Sequence, residues 1–155
     1  MASADLAGAS RRRLIPRQSR PHEDASPGDH AEILLEQPFD EDSLYAVRAA
    51  VAAHVTLLAD QRTVDMVVLI AHELASNSVR HGGGAGRLRL WLARGALYCE
   101  VSDDGSGLEN PSLAGETLPA PSLAGGRGLW IARRLSELHI ATSTMGPTIT
   151  AAVPL

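Results

Sequence analysis

The chain has 155 residues, a formal net charge of −4, 14 arginines and no lysine. The absence of lysine excludes a P-loop of the form G-x-x-x-x-G-K-[ST] and excludes Schiff-base enzymes, because both chemistries need a lysine amine. The single cysteine permits no internal disulfide. The length suits one domain. Because the chain has five aromatic side chains in total, the core of this domain must be aliphatic.

The first 30 residues are predicted to form a disordered tail before a domain over residues 31–155. In the tail, Pro, Ser and Gly are scattered and no apolar residue recurs with a helical or strand period. The tail holds five of the 14 arginines and four of the 18 acids, so the domain carries about −5 and we expect no direct contact with nucleic acid. The basic tail is interpreted as solvated, with contact to a nucleic acid or an acidic partner as the alternative. No run of about 18 apolar residues occurs, so we expect nothing that spans a membrane. No membrane partner and a cytoplasmic location are expected.

Hydrophobic periodicity, turn residues and glycine stops predict the elements of the domain. In chain order they are a strand over Ala31–Phe39, a helix over Ser43–Ala59, a helix over Val64–Arg80, a hairpin of Arg87–Ala93 and Ala96–Asp103, a Pro- and Gly-rich loop over 108–125, a helix over Arg127–Leu138, and strands over His139–Met145 and Thr148–Val153. Asp40 or Asp42 is expected to cap the first helix and Thr63 the second.

This order of elements predicts an α+β fold. Hairpins join most of the strands, so we expect a mixed, mostly antiparallel sheet with the helices on one face, as a two-layer sandwich. A doubly wound dinucleotide fold would need strands and helices to alternate strictly, which they do not.

The second predicted helix carries polar residues beside its apolar stripe. Glu73, Asn77 and His81 form an i, i+4, i+8 row along one edge of that stripe. An acid and an amide in this place, just before a glycine stop, are well placed to meet a ligand. The alternative is that they are boundary residues satisfied by water.

A second candidate is Asp103, which continues the inward alternation of the strand before it. A core-facing carboxylate is costly unless strong donors meet it, and such a group can accept the exocyclic amine of a purine. Gly105 and Gly107 follow, and glycines let a ligand pack against the main chain. The alternative interpretation is a simple hairpin turn.

A third candidate is the stretch Gly125–Leu129, directly before a predicted helix. Free backbone N–H groups and the positive helix end can form an anion site without lysine. The alternative is a helix start after a loop.

Trp91 and Trp130 are both interpreted as exposed, either as isolated surface aromatics or as markers of a partner surface.

Taken in order, these segments resemble the boxes of the ATP-binding superfamily of gyrase, the heat-shock chaperones, histidine kinases and the mismatch-repair ATPases. More closely, the sequence resembles the bacterial anti-sigma-factor serine kinases. The resemblance covers about residues 31–155 and implies the Bergerat ATP-binding fold. The matching residues are Glu73, Asn77, His81 and Gly82 for the N-box E-x-x-x-N-x-x-x-H-G, Asp103, Gly105 and Gly107 for D-x-G-x-G, and Gly126, Arg127, Gly128 and Leu129 for the glycine box.

The resemblance implies a role for each box. Glu73 would be the general base, Asn77 would hold Mg²⁺ against the triphosphate, and Asp103 would bind the adenine amine. The loop 108–125 would close as a lid. The remaining nucleotide contacts would come from His81, Gly82, Gly105, Gly107, Gly126, Gly128 and Leu129, with Arg80 and Arg127 assigned to phosphate. Pro147 stands where the family often has a threonine after Gly146, and Thr148 is expected on the opposite strand face.

By this resemblance, the function is that of a Mg-ATP-dependent anti-sigma-type serine/threonine protein kinase. Such proteins bind a sigma factor and phosphorylate an anti-anti-sigma antagonist of the STAS type, and they can form homodimers. One alternative is a catalytically silent module in which ATP shapes a partner surface. Another, the catalytic domain of a histidine kinase, is disfavoured because the tail before residue 31 is too short for a phosphoacceptor helix.

Overall fold

The computed structural model describes residues 26–107, 114–117 and 127–155. Their elements follow the predicted order. The bounds are β1 (Glu32–Asp40), α1 (Leu44–Val55), α2 (Gln61–His81), β2 (Ala85–Ala93), β3 (Ala96–Ser102), α3 (Arg127–Leu135), β4 (Glu137–Ser143) and β5 (Gly146–Pro154). Within these ranges, every helix is too short or too polar to cross a membrane.

The five strands form one sheet in the order β1-β2-β3-β5-β4, and each neighbouring pair is antiparallel. Helix α2 packs on β2, β3 and β5 and lies between α1 and α3. The α+β two-layer prediction is therefore confirmed. The sheet was expected to be mixed and mostly antiparallel. In the described residues it is antiparallel at each of its four strand pairings.

The core lies between the helices and one face of the sheet and is aliphatic, as expected. Its largest fully buried side chains include Ile70 and Leu74 from α2 and Leu88, Leu90 and Leu97 from the sheet. Cys99 of β3 lies in the same layer, and burial raises the pKa of its thiol to about 12. This cysteine is therefore a core residue without thiolate chemistry.

The prediction that Trp91 is exposed is wrong. Trp91 is 1% exposed and stacks on Tyr98, with ring centroids 5.2 Å apart. The two residues are directly paired across β2 and β3 on the sheet face away from the helices, where Ala96 and Ala152 join them in a small cluster. Strand alternation places Trp91 on this outer face correctly, but it does not show that the neighbours bury the ring.

Several helix boundaries also differ from the prediction, and α1 ends at Val55, four residues before the predicted Ala59. The N-cap of α2 is Asp60, whose side chain accepts a hydrogen bond from the Thr63 N–H at 2.9 Å. The N-cap of α1 is Ser43, whose N–H donates to Asp40 Oδ1 at 3.0 Å, so neither predicted aspartate is the cap residue. Helix α3 ends at Leu135, and Leu138 pairs with Ala151 in the sheet. An apolar leucine fits either a helical stripe or a strand face, so periodicity places this last boundary too late.

Candidate functional site

Asp103 follows the end of β3, and its carboxylate points at α2. Oδ2 accepts a hydrogen bond from Ser78 Oγ at 2.6 Å, and Oδ1 accepts one from the Gly105 N–H at 2.8 Å. These two donors offset the cost of placing a carboxylate beside the core. The predicted inward orientation of Asp103 agrees with this geometry. Ser78 is 2% exposed and was missed as a site residue, because its helical position alone marks it as part of the buried stripe.

Three glycines from different parts of the chain surround Asp103. A Cβ on Gly82 would overlap the Asp103 carboxylate, and a Cβ on Gly105 would lie 2.7 Å from the Gly82 Cα. At the turn between β4 and β5, Gly146 has a φ of +114°, and a Cβ there would overlap the carbonyl oxygen of Asp103. The end of α2, the turn after β3 and the β4–β5 turn therefore meet closely around one carboxylate.

The strand contact to Asp103 comes through the backbone. The Asp103 N–H donates to the carbonyl oxygen of Pro147 at 3.3 Å. Thr148 pairs with Ser102 and lines the outer face of the sheet, as expected. Gly107, with a φ of +83°, approaches β4 instead, since a Cβ on it would lie 3.0 Å from Cγ2 of Thr142.

A second contact joins α2 to the start of α3. A Cβ on Gly128 would lie 2.7 Å from Oε2 of Glu73, so this carboxylate faces the glycine box. Asn77, one turn later on α2, is half-buried like Glu73, whereas His81 is exposed. The structure thus brings Glu73 and the glycine box together and leaves the ring of His81 at the surface.

The remaining predicted residues divide between core, surface and undescribed chain. Leu129 is 3% exposed and belongs to the hydrophobic core, whereas Arg80 and Arg127 are exposed. Gly126 lies outside the described residues, as do all residues of the loop 108–125 except 114–117.

The described part of this loop lies against α3. The Ala114 carbonyl accepts a hydrogen bond from Arg133 Nε at 2.9 Å. A Cβ on Gly115, whose φ is +77°, would lie 2.6 Å from the Leu129 backbone. The middle of the loop is therefore fixed beside the first turn of α3 and close to Gly128.

The described residues fit Mg²⁺ only if most of its ligands come from outside the protein. In the described ranges, no group of three or more His, Cys, Asp or Glu side chains is arranged to hold a metal ion. Mg²⁺ is commonly bound through one or two side chains together with water and substrate phosphates. An ion beside Asn77 would therefore take most of its ligands from a triphosphate and from water.

A concavity of about 730 Å³ lies on the other side of the sheet. Its lining includes Glu36, Arg87, Arg89 and Glu100, which form cross-strand ion pairs. Burial raises the pKa of Glu100, and the attraction of Arg89 opposes that rise. Asp103 reaches the rim of this concavity, but its carboxylate is bonded toward α2, so we place the candidate nucleotide site on the helix side.

The fold and the site define an α+β domain without lysine, in which α2 contacts both Asp103 and the start of α3. Residues 37–152 match the family model of the histidine kinase-like ATPase domain, and the chain belongs to this family. The match spans all three boxes, and membership of this family supports ATP binding by the domain. A search of curated proteins gives no significant match.

Proposed function

We propose that this chain is a Mg-ATP-dependent protein kinase of the anti-sigma type, acting in the cytoplasm on a serine or threonine of a STAS-type antagonist. The observation that carries the proposal is the position of Glu73, whose carboxylate faces Gly128 at the start of α3. In the family resemblance, these two residues are the general base and part of the phosphate-binding box. Their contact puts a proton acceptor beside the place where the transferred phosphoryl group would lie.

The spacing along α2 supports the same assignment. Gly82 contacts Asp103, the proposed adenine acceptor, and Glu73 contacts the glycine box. At about 1.5 Å per residue, the stretch of α2 from Glu73 to Gly82 spans about 13 Å. A purine at one end and a triphosphate at the other would therefore lie along one helix.

The proposed reaction is a single in-line transfer. The substrate hydroxyl gives its proton to Glu73 while its oxygen forms a bond to the γ-phosphorus, and the bond from that phosphorus to the β,γ-bridging oxygen breaks to release ADP. Asn77 would hold Mg²⁺ on the phosphate oxygens, and the ion would neutralise the developing charge. Backbone N–H groups at the start of α3 would bind the same phosphates.

Turnover is tested with the full chain, labelled Mg-ATP and purified STAS-type proteins as acceptors. We expect transfer to at least one acceptor and its loss in Glu73→Gln, with ATP binding retained. Glu41→Gln is the matched control, because Glu41 is an exposed acid in the turn between β1 and α1 and belongs to none of the three boxes. Transfer that survives Glu73→Gln would remove Glu73 as the base.

If ATP binds but no acceptor is phosphorylated, the alternative of a catalytically silent regulatory module is favoured. The partner proposal is tested separately, by measuring complex formation with purified sigma factors with and without ATP. Sequestration that is equal for wild type and Glu73→Gln would show that binding of the sigma factor does not depend on transfer. A failure of all sigma factors to bind would reject the anti-sigma role and leave the ATP site untouched.

A further inference from the structure

We infer that Ser78 is a positioning residue for base recognition: its hydroxyl holds the Asp103 carboxylate in the orientation that selects a purine with a 6-amino group. The inference deepens the proposed function and rests on the adenine site assigned there. It starts from a side chain that the three family boxes do not include. Ser78 lies one residue after Asn77 on α2 and is 2% exposed.

The two oxygens of Asp103 are held by two different elements. Ser78 Oγ donates to Oδ2 at 2.6 Å from α2, and the Gly105 N–H donates to Oδ1 at 2.8 Å from the turn. A carboxylate has about four acceptor positions, so two remain. In the inference, one of these two positions accepts from an N–H group of the ligand.

Rotation of the carboxylate explains why the serine is needed. The terminal torsion of an aspartate is broad and two-fold, so a single donor leaves the plane of the group poorly defined. The Gly105 N–H alone could bond either oxygen. A second donor, on a buried position of a helix, defines the plane of the carboxylate.

The consequence is selectivity for a hydrogen-bond donor on the ligand. A carboxylate with both oxygens engaged as acceptors offers only further acceptor positions, which suit the 6-amino group of adenine. A 6-oxo purine presents an acceptor there, and an unsubstituted purine presents nothing. Loss of the Ser78 hydroxyl should therefore reduce the benefit of the 6-amino group without changing the contacts to ribose and phosphates.

The experiment compares two probes on the full chain by calorimetry: ATP and purine riboside 5′-triphosphate, which lacks the 6-amino group. We expect wild type to bind ATP more tightly than the analogue. In Ser78→Ala, the Kd for ATP should rise roughly 3- to 10-fold, whereas the Kd for the analogue should stay unchanged. Ser78→Thr retains a hydroxyl and should keep the preference. Ser78→Cys keeps the side-chain size with a weak donor and should behave like Ser78→Ala, so the test stands even if the threonine does not fit.

Ser76→Ala is the matched control, because Ser76 is another buried serine of α2, 5% exposed, and its Oγ is hydrogen-bonded to His72 Nε2 at 3.4 Å. It should leave the preference unchanged. In an Asp103→Ala background, Ser78→Ala should have no further effect on ATP binding.

Two results would overturn the inference while leaving the nucleotide site intact. One is an unchanged preference in Ser78→Ala, and the other is an equal loss for both probes, which would mark the serine as structural. If wild type binds ATP and the analogue equally, or binds neither, the adenine site itself is wrong and the role of Ser78 falls with it. Circular dichroism of each variant identifies losses that come from unfolding.

Discussion

Glu73 Oε2 and Gly128 lie so close that a single methyl group on residue 128 would sit 2.7 Å from the oxygen. Gly128 is in the first turn of α3, where alanine favours the helix by about 1 kcal/mol relative to glycine. At this position, helix stability therefore favours alanine, whereas the position of the Glu73 carboxylate favours glycine. Glycine is needed here for the approach of Glu73.

We predict that Gly128→Ala separates stability from activity. The added methyl displaces the Glu73 carboxylate, and phosphoryl transfer should fall on the order of 10- to 100-fold, whereas the free energy of unfolding should not decrease. Single-turnover transfer and urea unfolding measure the two effects. Gly28→Ala is the control, because a Cβ at Gly28 would have no atom within 4 Å. Unchanged transfer in Gly128→Ala would show that Glu73 need not occupy its present position.

Removing the Asp103 carboxylate should weaken adenine nucleotide binding. A hydrogen bond to a charged group contributes about 1.5–3 kcal/mol, so Asp103→Ala should raise the Kd for ATP roughly 10- to 150-fold. Calorimetry in the presence of Mg²⁺ measures the change. Asp104→Ala is the matched control, because Asp104 is adjacent and exposed. An ATP affinity that is equal in wild type and Asp103→Ala would remove Asp103 from the site.

Glu100 should make the stability of the domain depend on pH. Burial raises its pKa above the ordinary value of 4.5 in the folded state, so its favourable contribution is complete below pH 4.5 and is lost as the pH rises through the raised pKa. Glu100→Gln resembles the protonated form. Urea titrations of both proteins give their free energies of unfolding. The value for wild type, relative to that for Glu100→Gln, should therefore fall from acid to neutral pH. A difference that rises with pH would mean that the Arg89 pair outweighs burial.

Asp60 should stabilise α2 as its N-cap with the opposite pH dependence. The Thr63 N–H lowers the pKa of the Asp60 carboxyl below 3.8, so the stabilisation is present above pH 3.8 and is lost as the pH falls through the lowered value. Asp60→Ala should lower the Tm at neutral pH, and Asp60→Asn, which retains an acceptor, should largely preserve it. If Ala and Asn at this position give the same Tm, the side-chain cap does not stabilise the helix.

The sequence was sufficient for the parts of the fold that depend on local patterns. The alternation over Ala96–Asp103 and the helical stripe before Gly82 predict β3 and α2, and the direction of Asp103 follows from the same alternation. In the structure, Gly82 of the first box lies against Asp103 of the second, and Glu73 of the first lies against Gly128 of the third.

The missed features depend on partners distant in sequence. Ser78 and Asp103 are 25 residues apart, and nothing near Ser78 indicates that a core serine has a carboxylate partner. The burial of Trp91 depends on Tyr98 across the strand pair and on the alanines beside them. At the start of α2, the apolar period begins at Val64, so a prediction based on that period places the cap at Thr63 and misses the turn that Asp60 begins.

Helix α2 carries Glu73, Asn77 and Ser78, and Gly82 directly follows its last residue, so one helix sets the interval between the two ends of the proposed nucleotide site. Movement of other elements can change how tightly a ligand is held, but it cannot change the length of ligand that α2 accommodates. Discrimination between ATP and ADP would then fall at the Glu73 end of the site, where Asn77 and the start of α3 would meet the phosphates. The other end, at Asp103 and Gly82, would contact the base in the same way in both nucleotides.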